Sequence, residues 1–206
     1  MPAVILITLL VFIKARRKFG FNFYLIFSFY LLINLFVELS SNIEAYYDLN
    51  NIMIYNIDIL IEGLTFCYLF YYANNNLTIR RFLMPMVIIF ILFWMTNFFF
   101  LQKGETLNTY TYLLSCLILS TFSLITIYRL VFQFSFDNPF YNFFFWASIG
   151  ILFCYLGNIP YLASFNILLI KEKMTAYSLS IISQVVNIIL YFMIITGILC
   201  HHPVRN

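Results

Sequence analysis

The sequence predicts an all-α integral membrane protein, a bundle of seven transmembrane helices with its N-terminus outside and its C-terminus in the cytoplasm. Three observations carry this. Of 206 residues, 64% are hydrophobic and 9% charged, where soluble domains carry about 25% charged residues. Uncharged windows cover 19–37, 63–79, 82–102, 106–128, 138–170 and 174–204. Several exceed the roughly 20 residues that a helix needs to cross the hydrocarbon core. Basic residues gather on alternate connections. One side holds Lys14, Arg16, Arg17, Lys18, Arg80, Arg81, Arg129 and Arg205, and the other holds Lys103, Lys171 and Lys173. That imbalance fits the positive-inside rule. No block is polar enough for a water-soluble domain, so residues 1–206 read as one transmembrane domain.

The elements follow in order. Residues 2–13 (PAVILITLLVFI) precede Lys14, whereas a secretory signal has its charge before the apolar run. They read as an anchor with the N-terminus outside. Such a segment reaches about 20 Å at about 1.5 Å per residue, so Lys14 and Arg16 must snorkel. If it lies in the interface instead, six spans remain and their orientation is unchanged. Span two is 21–46 and span three 51–72, joined by a turn near Asp48. Asn74-Asn75-Asn76 ends span three. Arg80-Arg81 precede span four, 82–101, which is apolar nearly all round and faces lipid broadly. Lys103-Gly104-Glu105 turns into span five, 109–132. Asp137-Asn138-Pro139 is a helix-start signal for span six, 140–165, with a kink expected at Pro160. Lys171-Glu172-Lys173 leads into span seven, 176–199.

Polar residues inside the spans are the functional candidates. Span three carries Asn51, Tyr55, Asp58, Glu62, Thr65, Leu69 and Tyr72 on one helical face. Span two carries Tyr30, Asn34, Glu38, Ser41 and Ala45. Glu38 and Asp58 are equidistant from Asp48, as are Asn34 and Glu62, so Glu38 is expected to face Asp58 and Asn34 to face Glu62. No Lys or Arg lies within either span, so the three carboxyls are expected to share at least one proton. Span seven adds Tyr177, Ser180, Gln184, Asn187 and Tyr191, with Asn158 of span six at the depth of Asn187. Glu38, Asp58, Asn97, Asn158 and Gln184 fall in the outer half, as one polar cluster opening outward. Ala147, Gly150, Cys154 and Gly157 form a small-residue stripe that admits a close neighbour. A carboxyl near the bilayer centre costs about 2.5–3.5 kcal/mol on insertion scales, and an amide is cheaper glue. The amides are therefore read as interhelical hydrogen bonds, and Asp58 and Glu62 as functional.

Several chemistries are set aside. The only histidines are His201 and His202, which excludes HExxH metalloproteases. Cys200-His201-His202 reads as a solvated tail rather than a metal site. No GxSxG is present, and span seven has no Lys to hold retinal. The net charge of +3 is too small to argue for nucleic acid. Neither a metal nor a cofactor is expected, and no enzymatic activity.

At FNFYLIFSFYLLINLFVELSS (21–41), LNTYTYLL (107–114) and GILFCYLGNIPYL (150–162) the chain resembles a loose group of small multi-pass membrane proteins of Bacteroidota-type bacteria. Some of these resemble sensory membrane domains that accompany signalling proteins; others resemble membrane accessories of antiphage systems, including CRISPR loci. The resemblance supplies no catalytic residue. Together the sequence points to a sensory or accessory module of the bacterial inner membrane, embedded in the lipid bilayer. An outward-facing site at Glu38, Asp58, Glu62, Asn34, Gln184, Asn187 and Asn158 would bind a ligand or proton and signal through a cytoplasmic protein partner or a homo-oligomer. The alternatives are an ion- or proton-conducting component, including an antiphage effector, and a purely structural subunit.

Overall fold

A computed structural model describes residues 1–47, 51–104, 106–132, 138–171 and 173–201. Its helices are α1 (Pro2–Lys14), α2 (Phe21–Tyr46), α3 (Ile52–Ala73), α4 (Leu77–Thr96), α5 (Thr109–Phe132), α6 (Phe143–Lys171) and α7 (Lys173–Cys200). No strand occurs among the described residues. Six helices are long and apolar enough to cross a membrane, and α1 is the short apolar one. The chain is all-α, and its apolar helices fit an integral membrane protein. The turns near Asp48 and Glu172 lie outside the described residues.

Six helices close into a ring. Going round it, α1 packs on α2, α2 on α3, α3 on α5, α5 on α6, α6 on α7, and α7 returns to α1. The α4 helix stands outside this ring, against α3 and α5. It is the least buried of the long helices and exposes Phe82, Ile88, Ile89, Leu92 and Met95. Gly63 of α3 admits it: a methyl there would lie 2.6 Å from the Phe90 ring. Between apolar helices in lipid, close packing rather than the hydrophobic effect holds the pair. The α6–α7 pair shows this best. A methyl on Gly150 would lie 2.9 Å from Met193 Cβ, and one on Gly157 2.8 Å from Val186 Cγ1. The small-residue stripe of α6 is thus the seat of α7.

The basic connections and the helix ends near them form one end of the ring. Lys18 Nζ donates to the carbonyls of Ile198 (3.1 Å) and Leu199 (3.2 Å), capping the negative end of α7. Arg80 Nε donates to Tyr71 O and Asn74 O and closes the end of α3, with its guanidinium 4.4 Å from the Tyr71 ring centre. Between these caps lies an aromatic layer. Phe12, Phe19, Phe23, Phe27 and Phe143 meet with ring centroids 5.0–6.4 Å apart. Four of the five are fully buried. Each such pair adds about 0.5–1.5 kcal/mol beyond its area.

His201 belongs to this layer. Its ring stacks on Phe19 at 4.8 Å, and its Nδ1 accepts from the Phe143 amide at 3.4 Å. The solvated-tail expectation fails for this residue because the aromatic layer offers it a flat partner. The described cysteines are free.

Several element boundaries differ from hydropathy. Helix α4 begins five residues early, because the Asn76 side chain caps it by accepting from the Thr78 amide at 2.8 Å. Arg80 and Arg81 therefore lie in its first turns. Pro139–Tyr141 is a separate 3₁₀ turn, and Asn142 caps α6 by accepting from the Phe144 amide. Helix α6 runs on through Pro160, and it and α7 have 29 and 28 residues. At about 1.5 Å per residue both pass 40 Å. They outreach the roughly 30 Å hydrocarbon core because no Gly or Pro interrupts 161–196. Hydropathy marks where lipid ends, not where a helix does.

Candidate functional site

The axis of the ring is polar in one layer. Glu62 of α3 sits there, 9% exposed. Tyr30 of α2 donates its hydroxyl to Glu62 Oε1 at 3.3 Å. Asn34, one turn along α2, donates Nδ2 to the Tyr30 oxygen at 3.3 Å. Asn34 therefore reaches Glu62 through Tyr30 rather than directly. Tyr155 of α6 turns its hydroxyl toward the same carboxyl, and Tyr191 of α7 brings its hydroxyl to that of Tyr30. Tyr112 of α5 stacks on Tyr155 at 5.6 Å. Glu62 thus stands where five of the six ring helices meet.

Asp58 and Glu38 continue from this centre away from the basic end. Asp58 lies one turn from Glu62 on α3, half-buried, with Oδ1 buried and without a hydrogen-bond partner. Glu38 of α2 is also half-buried. It is near enough to Asp58 and Glu62 for the three groups to act on one another. The amino group of Met1 lies near Glu38. Among the described residues no Lys or Arg pairs with any of the three carboxyls. On the other side of Glu62 the interior turns mostly apolar, while α5 keeps Ser120, Ser123 and Thr126 buried. Phe66 packs its edge against Tyr30 and Tyr155, and the phenylalanine layer of Phe27, Phe23 and Phe143 follows.

Two further sets of polar residues stand beside this centre. Asn158 and Asn187 meet at Cys154, which donates Sγ to Asn187 Oδ1 at 3.1 Å and accepts from Asn158 Nδ2 at 3.6 Å. Asn158 keeps its Oδ1 buried and unpartnered. Gln184 stands apart and is exposed.

Asn97 joins a different cluster, so the polar residues of the outer half are not one group. Asn97 Nδ2 donates to Gln102 Oε1 (2.8 Å) and Thr111 Oγ1 (2.9 Å), and Gln102 Nε2 donates to Thr109 Oγ1. Asn56 Nδ2 donates to Thr106 O, and its Oδ1 accepts from the Asn108 amide at 2.8 Å. Trp94 Nε1 donates to Asn56 O. This clamp fastens the α4–α5 connection to α3.

Sequence reasoning missed Tyr112 and Tyr155. Their signal was available: a tyrosine in mid-span, away from the interface, needs a partner for its hydroxyl. Tyr155 follows Cys154 of the small-residue stripe directly. Among the described residues no cluster of His, Cys, Asp and Glu fits a metal ion. No family model, curated protein or solved structure matches this chain.

Proposed function

We propose that this chain is a seven-span module of a bacterial inner membrane, N-terminus outside and C-terminus cytoplasmic, with no catalytic activity of its own. It takes up a proton or small cation at Glu38, Asp58 and Glu62 and passes the change to a cytoplasmic partner. The positive-inside distribution of Lys and Arg supports the orientation. The observation that carries the function is the one-ended layout of the site. Two half-buried carboxyls lead to a buried one, and a layer of phenylalanines lies beyond. Beyond Glu62 the small hydroxyls of Ser120, Ser123 and Thr126 on α5 continue toward the basic end, but none of the helices carries a carboxyl there, which suits uptake of a proton or cation better than its passage. Charge gained or lost there acts on Tyr30, Tyr155 and Tyr191 at once, and so on α2, α6 and α7. Helices α6 and α7 interlock through Gly150 and Gly157, so they respond as a pair.

A conducting component is the second reading, favoured by carboxyls on successive turns of α3. Proteoliposomes separate the two. Uptake predicts reversible proton or sodium binding, lost in Asp58→Asn with Glu62→Gln, and no flux across the vesicle wall. Flux through the wild-type chain would replace uptake with conduction. Recovery of no cytoplasmic protein in a mild-detergent pull-down from the native membrane would overturn the signalling role.

A further inference from the structure

Outside the carboxyl site, a groove of about 360 Å³ opens between α4 and α5 at the basic end, lined by Asn76, Ile79, Leu124, Ile125, Tyr128 and Arg129. Its lining is ordered along the helices. Asn76, Tyr128 and Arg129 lie nearest the basic end, and Ile79, Leu124 and Ile125 lie a turn deeper toward the middle of the bundle. Arg129 is 8% exposed and is held by its Nη1 bond to Asn74 Oδ1 at 2.7 Å. Asn74 is fixed in turn by donating to Thr126 Oγ1 at 3.0 Å. A guanidinium braced in this way at a groove mouth places a fixed positive charge where a phosphate headgroup would sit. Arg80 and Arg81 stand on the adjoining first turns of α4.

We infer that this groove binds one anionic phospholipid, its phosphate at Arg129 and Tyr128 and one acyl chain along Ile79, Leu124 and Ile125. The order of the lining matches the order of such a molecule along the membrane normal, polar group at the surface and chain inward. The groove opens toward lipid because α4 stands outside the ring, and basic pockets between membrane helices are known receptors for acidic headgroups. A soluble phosphate would use the polar end and leave the apolar shaft without a role.

The test uses the purified full chain in a neutral detergent, with the melting temperature as readout. Phosphatidylglycerol should raise it well above the effect of phosphatidylcholine, and native mass spectrometry should show one retained acidic lipid. Leu124→Trp fills the shaft at a position already 55% exposed and should remove most of the lipid-dependent shift while leaving the lipid-free melting temperature in place. Arg129→Gln should weaken phosphatidylglycerol at least tenfold. Because Arg129 also braces Asn74, Leu124→Trp is the deciding variant if Arg129→Gln fails to fold. Equal shifts from both lipids, or a full shift retained by Leu124→Trp, would overturn the inference. A full shift from glycerol phosphate alone would assign the polar end to a soluble phosphate and overturn the lipid.

Discussion

Two buried polar clusters in this bundle use the same physics to different ends. The clamp around Asn56, Asn97 and Gln102 is neutral; Asn97 Oδ1 and both side-chain polar atoms of Asn108 stay buried there without a partner, and none of them can take up or lose a charge. Its amides donate and accept in the same few ångströms, and the groups they satisfy are largely loop backbone and threonine hydroxyls. The centre around Glu62 is acidic and under-bonded. Tyr30 and Tyr155 turn their hydroxyls to Glu62, and Asp58 leaves one oxygen buried with nothing to accept from. Amides can satisfy both donor and acceptor without changing charge, so they suit a fastening. Carboxyls are a poor fastening but can exchange a proton or a cation. The contrast teaches that polarity inside a membrane bundle, even unsatisfied polarity, is not a functional signal by itself; buried acidity is.

The comparison breaks most visibly at Glu62. Glu62→Gln keeps the shape and the Tyr30 bond but removes the exchangeable charge. Proton or sodium uptake should fall by more than tenfold, read by isothermal titration, while stability stays within about 1 kcal/mol. A large loss of stability with uptake intact would make this centre a second clamp. Asn56→Leu tests the other side. It strands the Asn108 amide and the Thr106 carbonyl, at about 1–3 kcal/mol for each buried group left unpaired. Chemical denaturation should show a loss of roughly 2–6 kcal/mol on that basis, with uptake unchanged.

Smaller effects sharpen the boundary of the site. Tyr30→Phe removes the hydroxyl between Asn34 and Glu62 and should cost about 1 kcal/mol while weakening or shifting uptake. A change in stability alone would limit Tyr30 to packing. Gln184→Leu should change neither property by more than about 0.5 kcal/mol, as for other exposed positions. A clear loss of uptake in Gln184→Leu would return that residue to the site.

Much of this architecture was legible in the sequence, and the failures have physical causes. The bounds of α2 and α5 coincide with expectation because charge or turn residues flank them on both sides. Helix α4 read as lipid-facing because it is apolar nearly all round, and the ring leaves it outside. The extensions of α6 and α7 were hidden because hydropathy says nothing about a helix that continues into water. The Glu38, Asp58 and Glu62 set followed from the hairpin of α2 and α3, since equal distance from a turn means equal depth. Tyr112 and Tyr155 did not follow, because their roles come from which helices adjoin in the closed ring. That order depends on packing between segments far apart in sequence. Asn97 shared a depth with the acids but not a sector of the bundle, and a one-dimensional count resolves depth alone.

The Lys18 cap on α7 has a consequence for how the chain is built. Helix α1 packs on α7 as well as on α2, so during synthesis the ring stays open at α1 until α7 is made. Up to that moment the nascent protein is an open horseshoe with a carboxyl in its gap. Closure therefore waits for α7, and a copy interrupted before it keeps Glu62 open on the side where Tyr191 would meet Tyr30.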